Sequence, residues 1–255
     1  MSHDAPRAPL DRKAITEEIS QYWRVSVVEV TGSTQDDLYR KVTENPPIAK
    51  SVLVSDYQSA GRGRIDRTFE APPSSALLFS FYIEPKVEKD EWSFLTLLAG
   101  ISVREALATL DNKVAIEIKW PNDLLINDRK VAGMIAQSTP KGVIIGIGIN
   151  VEMSEVELPV SGATSLSIEK FSELNRNRLL ATILNHFEIN LQMWELGQSF
   201  LPQYRNHCST IGSEVEVTLP GGVTLQSKAL DISDSGALLL ESGEQITVGD
   251  VVHLR

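Results

Sequence analysis

Five short segments of the chain carry residue types suited to work on an anionic small molecule. In Gly61-Arg62-Gly63-Arg64-Ile65-Asp66-Arg67, which follows Asp56-Tyr57-Gln58-Ser59-Ala60, two glycines let the backbone approach a ligand and three arginines offer forked donors for phosphate or carboxylate. Alone, the run fits a solvated basic loop or an RNA-binding arginine-glycine stretch equally well. Lys119-Trp120-Pro121-Asn122-Asp123 supports the ligand reading, because a strand rich in Val and Ile delivers a lysine, an aromatic, an amide and a carboxylate to one edge. Pro121 donates no ladder hydrogen bond and restrains Trp120, so the polar groups are fixed at a strand end. A lysine there neutralises a phosphoryl group, and Asp123 can hold Mg²⁺ directly or through water. Any one of these residues would read as a strand-end turn with a surface salt bridge; the set of five points to phosphate chemistry.

The other three segments are weaker signals. In Arg129-Lys130-Val131-Ala132-Gly133-Met134, Lys130 opens a strand and Gly133 interrupts its apolar pattern, as a glycine does where a ligand or another backbone comes close. Lys130 could meet a substrate carboxylate or be an exposed strand-end lysine. Gly146-Ile147-Gly148-Ile149-Asn150 leaves one strand face bare, either for a flat bicyclic ligand or as a packing accommodation. It is not a dinucleotide fingerprint, since no strand-to-helix turn and no third glycine follow. Gly32-Ser33-Thr34-Gln35-Asp36-Asp37 places an N-cap hydroxyl and two first-turn acids at a helix start, where free amides and a hydroxyl could also bind a neutral polar group.

Something must position these residues. Alternation and β-branched runs predict strands at 25–30, 51–55, 76–83, 114–120, 130–137 and 143–151, and Asn127-Asp128 predicts a tight antiparallel connection from residues 124–126 into the strand at Lys130. The sheet is expected to be mixed or antiparallel. Trp92, Leu95, Ala99, Val103, Ala106 and Leu110 keep helical spacing, as do Leu180, Ile183, Leu184, Phe187, Leu191 and Trp194; His186 beside that second stripe reads as a structural or surface histidine. After Pro202 short strand-like segments at 214–219, 224–232, 237–241 and 245–254 alternate with Gly-containing turns, which predicts a small β-barrel. The expected organisation is an N-terminal tail with a first helix over 1–24, a catalytic domain over 25–206 and a small C-terminal domain over 207–255.

Bulk properties restrict the function. At 255 residues, with 42% hydrophobic and 23% charged residues, the chain is of ordinary globular composition. Lys and Arg total 24 against 34 Asp and Glu, and the formal charge of −10 opposes broad attraction to phosphate backbones. Cys208 is the only cysteine, so no intrachain disulfide forms and a thiolate zinc site is disfavoured. Residues 1–12 contain no apolar run and read as a loose tail without a secretory or membrane-spanning segment, so a cytoplasmic location is expected.

Taken in order, Gly-Ser-Thr-Gln, Gln58 through Gly-Arg-Gly-Arg, Lys-Trp-Pro-Asn-Asp-Leu, Arg-Lys-Val-Ala-Gly and Gly-Ile-Gly-Ile-Asn resemble the biotin protein ligase family over about residues 25 to 255. The resemblance implies an α+β fold: a catalytic domain similar to class II aminoacyl-tRNA synthetases, with a mixed sheet, and a C-terminal SH3-like barrel. It implies formation of biotinyl-5′-AMP from biotin and Mg-ATP, then transfer of biotin to a lysine of a biotin carboxyl carrier domain. It also implies residue roles. Arg62, Arg64, Lys119 and Lys130 would be catalytic, and Ser33, Thr34, Gln35, Gln58, Gly61, Arg62, Lys130, Gly133, Gly146 and Gly148 would bind biotin. Arg64, Arg67, Phe69, Lys119, Trp120, Asn122 and Asn150 would bind the nucleotide, and Asp123 magnesium.

The chain departs from the family pattern at Asp66, where Gly is common, at Phe69, where Trp is common, and at Gln35, which replaces a frequent Asn. Phe69 keeps an apolar ring but loses the indole donor. A lipoate or other acyl ligase on the same fold would keep a strand-borne lysine without this pairing of motifs. A DNA-binding biotin sensor would need a helix-turn-helix ahead of the first strand, where only about 24 residues stand, so no specific DNA binding is expected. An interaction module built on residues 207–255 would leave the clustered segments unused. The expected assembly is a monomer or homodimer without membrane attachment.

Overall fold

The structure, a computed structural model, describes residues 7–44, 49–64 and 67–254. One mixed sheet contains β1 (Arg24–Thr31), β2 (Ser51–Gln58), β3 (Ala76–Ile83), β4 (Glu117–Lys119), β5 (Asp123–Ile126), β6 (Arg129–Ser138) and β7 (Val143–Asn150), in the order β1-β2-β3-β7-β6-β5-β4. β1 and β2 run parallel, and every other neighbouring pair is antiparallel. The predicted strand at 114–120 shortens to three residues, because β5 offers it few partners and Pro121 ends the ladder. Asn127 and Asp128 both take positive φ, 50° and 61°, the backbone of a tight two-residue hairpin turn.

β3 and β7 are buried along their whole lengths, which requires cover on both faces. One face is packed by α3 (Leu95–Leu110) and α4 (Arg176–Glu195), whose apolar stripes meet Phe79, Phe81, Ile145, Ile147 and Ile149. Residues 89–110 are apolar and long enough to cross a membrane by composition alone, yet Leu95, Leu98, Ile101 and Val103 pack into this core. The opposite face is covered only in part. At one end lies α2 (Thr34–Glu44), with Leu38 and Val42 on Tyr82 and Ile144; at the other, Ala71, Phe69, Met153 and Leu158 pack near Ala76 and Leu78. The floor between them is where a ligand can lie.

The first helix expected within residues 1–24 is present, and a further short helix, not foreseen, precedes the C-terminal domain. α1 (Arg12–Glu18) starts at Asp11, whose carboxylate accepts from the Lys13 and Ala14 amides, and α5 (Leu201–Asn206) leads out of the main sheet. The described part of the tail is not loose. Arg7 donates to Glu157 at 2.6 Å and to the Glu152 carbonyl, while Leu10 N donates to Asp56. Asp56 is paired with Arg176 at 2.5 Å in the core, and Arg176 also donates to the carbonyls of Ala76 and Ala8. A buried charge pair of this kind stands only because its remaining donors and acceptors are satisfied, and the tail supplies two of them.

Five further strands, β8 (Glu214–Thr218), β9 (Thr224–Ile232), β10 (Leu238–Leu240), β11 (Gln245–Ile246) and β12 (Asp250–His253), form a small antiparallel sheet in the order β11-β10-β9-β8-β12. Its join to the main sheet is structural. The segment before it adds to the edge strand β4 as a parallel bridge, with Ile118 N donating to the His207 carbonyl and Ser209 N to the Ile118 carbonyl. The exposed edge of β4 is thereby paired.

Candidate active site

Sheet register decides which side chains share the partly covered face. Leu78 stands opposite Gly148, Gly148 opposite Gly133 and Gly133 opposite Asp123, so one row crosses four strands. Ser80, Gly146 and Ile135 form the next row on the same face, about 7 Å away at two residues of strand rise. Three of these seven positions are glycine, which leaves a bare floor.

Lys130 reaches this face through a β-bulge. Pairing of β5 with β6 steps from Leu124–Ala132 to Leu125–Lys130, leaving Val131 as an extra residue. Without the bulge, Lys130 and Gly133, an odd number of residues apart, would point to opposite faces; with it they share one. A Cβ at Gly133 would lie 2.9 Å from Lys130 Nζ, so glycine is what lets the ammonium lie across the strand. Lys130 Nζ is 2.7 Å from Asp123 Oδ1, and while Lys130 stands opposite Leu125 of β5, its backbone N–H and carbonyl bond to Gly162 and Thr164.

The row at Ser80 carries neutral polar groups. Thr34 donates its amide and its hydroxyl to Gln58 Oε1 at 2.7 and 2.9 Å, and its hydroxyl lies 2.8 Å from Ser80 Oγ. Ser33 caps α2. Gln35, 2% exposed, donates to the Ile144 carbonyl, but its Oε1 is buried and has no donor among the described residues. A buried acceptor without a partner is costly unless a ligand N–H completes it. A Cβ at Gly146 would come within 2.6 Å of that oxygen.

The row at Gly148 carries charge. Arg64 donates to Asn122 Oδ1 at 2.9 Å and to the Gly249 carbonyl at 3.2 Å, Arg67 pairs with Asp250, and Arg62 pairs with Asp36 at 2.6 Å. Arg62 and Arg67 are largely exposed, so their ion pairs contribute little to stability and can be exchanged for a ligand anion. Lys119 and Asn150 line an outer cavity that shares Arg67, Phe69, Asp123 and Lys130 with the inner one. Burial holds the Lys119 ammonium below its ordinary value; Asp123 and Asp250 push back, and Lys130 and Arg67 push further down. Burial likewise lowers Arg64, which stays a cation.

Most of the residues singled out from sequence therefore converge. Ser33, Thr34, Gln35, Gln58, Arg62, Arg64, Arg67, Phe69, Asn122, Asp123, Lys130, Gly133, Gly146 and Gly148 line the inner cavity, and Lys119 and Asn150 the outer one. Among the described residues no group of three or more His, Cys, Asp or Glu could hold a metal ion. Asp123 is a single carboxylate already beside Lys130, so it suits a magnesium ion delivered on phosphates and not a protein-built cage.

Known proteins similar to this chain identify its family. The sequence pattern of the biotin/lipoate A/B protein ligase family matches residues 27–154, and that of the biotin protein ligase C-terminal domain matches residues 210–254. A biotin--[acetyl-CoA-carboxylase] ligase of Mycobacterium tuberculosis is 35% identical across 99% of this chain and 98% of its own length. The chain belongs to the biotin protein ligase family. Members of that family are ligases that transfer biotin to carboxylase carrier proteins. The bifunctional ligase/repressor BirA of Bacillus subtilis is 31% identical over 86% of this chain and 69% of its own length. The biotin protein ligase of Aquifex aeolicus, solved in complex with biotin and ATP, superposes with a TM-score of 0.79 at 27% identity, covering 91% of this chain and 99% of that one.

Two residues of the biotin protein ligase motifs stand beside the inner and outer cavities and do not line them. Trp120, 2% exposed, lines an adjoining cavity that shares Arg62, Gly63 and Arg64 with the inner one, and it also joins the two domains: its indole donates to the Gly236 carbonyl and its amide to Thr210 Oγ1. Gly61 does not line the inner cavity. It pairs with the backbone of Phe69, whose carbonyl would lie 2.4 Å from an added Cβ. Phe69 itself covers Gly148, its ring 2.7 Å from where a Cβ would stand. Asp66 lies outside the described residues. Ser80 and Asp250 were missed. Ser80 had a signal, the one small polar residue in the apolar strand Ala76–Ile83; Asp250, in the C-terminal domain, had none.

Proposed function

We propose that this chain makes biotinyl-5′-AMP from biotin and ATP and transfers the biotinyl group to a lysine of a carboxylase carrier domain. The supporting observation is the two-row floor: neutral hydrogen-bonding groups at Ser80 and Gly146, cations at Gly148 and Gly133, with bare backbone in both rows. A ligand with a neutral ureido head and a carboxylate tail matches that polarity. Ser33, Thr34, Gln35 and Gln58 take the head, and the orphaned Gln35 oxygen accepts a ureido N–H. Lys130 takes the carboxylate.

In the first step a biotin carboxylate oxygen bonds to the α-phosphorus of ATP while the bond to the β-phosphate oxygen breaks, releasing pyrophosphate. Two anions must meet, so Lys119, Lys130, Arg62, Arg64 and Arg67 act by neutralising and aligning them, with no covalent enzyme intermediate. Asn122, through Arg64, and Asn150 and Phe69, in the outer cavity, serve the nucleotide. Asp123 would hold a magnesium ion arriving on the phosphates, which supplies further charge neutralisation. In the second step the acceptor amine bonds to the carbonyl carbon, loses a proton, and AMP leaves. The net charge of −10 opposes broad, sequence-independent attraction to nucleic-acid phosphates.

The expected outcome is exchange of labelled pyrophosphate into ATP that depends on biotin and is not supported by lipoate. Exchange with lipoate, or exchange indifferent to biotin, would move the protein to another ligase class.

A further inference from the structure

The outer cavity contains a titratable group that none of the roles above uses. His253, on β12 of the C-terminal domain, lines the same wall as Lys119, Lys130 and Arg67. Its Nε2 lies 3.1 Å from Thr210 Oγ1, and that oxygen accepts the Trp120 amide at 3.0 Å. One edge of the ring is thus tethered to the residue that follows Lys119, which fixes the imidazole beside the end of β4. Nδ1 makes no side-chain hydrogen bond among the described residues and is free to serve a ligand.

The charges around it are mixed. Lys119 faces it from β4 and Asp128 from the β5–β6 turn, while Glu70 and Asp123 share the cavity wall with Arg67 and Lys130. Burial, then Lys119, holds the imidazole below its ordinary value of 6.5, with Asp128 opposing. It is therefore neutral near pH 7 in the free protein. An anion seated on Lys119 cancels the repulsion and adds negative charge, so proton binding by the ring becomes favourable.

We propose that His253 is a phosphate-binding residue recruited by its ligand: when the polyphosphate of a nucleotide, or free pyrophosphate, binds at Lys119, His253 takes up a proton from solvent and holds the anion by a charge-assisted hydrogen bond. This rests on the reading of the outer cavity as the nucleotide site. It makes the C-terminal domain a contributor to phosphate binding as well as a structural appendage.

The test follows the imidazole resonances of the whole protein by NMR as pH is varied, with His253 assigned by its absence in His253→Gln. The free protein should show His253 titrating below 6.5, and saturating ATP or inorganic pyrophosphate should move it above that value. A shift with both anions, or with ATP alone, supports the proposal, the second case assigning the site to the nucleotide and excluding the free product. His253→Gln keeps a hydrogen-bonding group but no titratable one. It should raise KM for ATP about tenfold near pH 6 and leave KM near pH 8.5 almost unchanged, with kcat altered little at either pH. An imidazole titration that neither anion moves, or a KM effect equal at both pH values, overturns the proposal. Absence of any adenylate formation by the wild-type protein would strike the functional reading; adenylate formation with an unmoved imidazole would strike this inference alone.

Discussion

Lys130→Ala is expected to slow biotin adenylation by about a hundred- to a thousandfold in kcat/KM, the range for removing a charge that stabilises a developing anionic centre. The bulge at Val131 exists in this fold to the effect that Lys130 shares a face with Gly133 and Asp123. Removing the ammonium leaves a biotin carboxylate to approach ATP unscreened and leaves Asp123 without its 2.7 Å partner, so the alanine protein meets two sources of repulsion. Stability should change little, because the Lys130 side chain is 40% exposed. Pyrophosphate exchange gives the rate and thermal unfolding gives the control. A rate within threefold of wild type, in a folded protein, would take Lys130 out of the mechanism. Lys130→Arg should recover only part of the loss, since a planar fork does not occupy the place of an ammonium packed over a glycine.

Gly146→Ala should weaken biotin binding by about ten- to a hundredfold while changing KM for ATP much less. The added Cβ would stand 2.6 Å from Gln35 Oε1 and 3.2 Å from Ser80 Oγ, in the row that receives the neutral head of the ligand. Gln35 is fixed at the start of α2 by its bond to the Ile144 carbonyl, so it cannot swing aside without losing a buried hydrogen bond. Calorimetric titration with biotin reads the effect. Equal weakening of biotin and ATP would mean that the floor as a whole had shifted and that the two-row division of labour is wrong.

Local signals in the sequence were enough for the strands and for the residues on them. Alternation located β1, β2, β3, β6 and β7, and Asn127-Asp128 located the hairpin, because side-chain direction along a strand and the φ sign at a turn are set by neighbours in sequence. The five chemistry-bearing segments were legible for the same reason. Their meeting was not. It depends on the strand order β3-β7-β6-β5 and on one bulged residue, Val131, which alternation alone would misassign. Trp120 carries a role that its type does not announce: it lines a cavity with Arg62 and Arg64, and it also joins the domains through Gly236 and Thr210. Asp250, Thr210 and His253 reach the site from the C-terminal domain, more than a hundred residues from the Gly-Arg loop in sequence, and nothing local marks them. The anchoring of Arg7 and Leu10 was hidden similarly, since it needs Asp56, Glu157 and Arg176 to be brought together first.

One cleft must join biotin to a nucleotide and pass it on. Intact-mass measurement of a purified biotin carboxyl carrier domain, incubated with this protein, ATP, Mg²⁺ and biotin, tests that most directly. The predicted result is a gain of one biotinyl group on the carrier that disappears when either ATP or biotin is omitted. A carrier whose mass is unchanged, or one that gains the group without ATP, would contradict it.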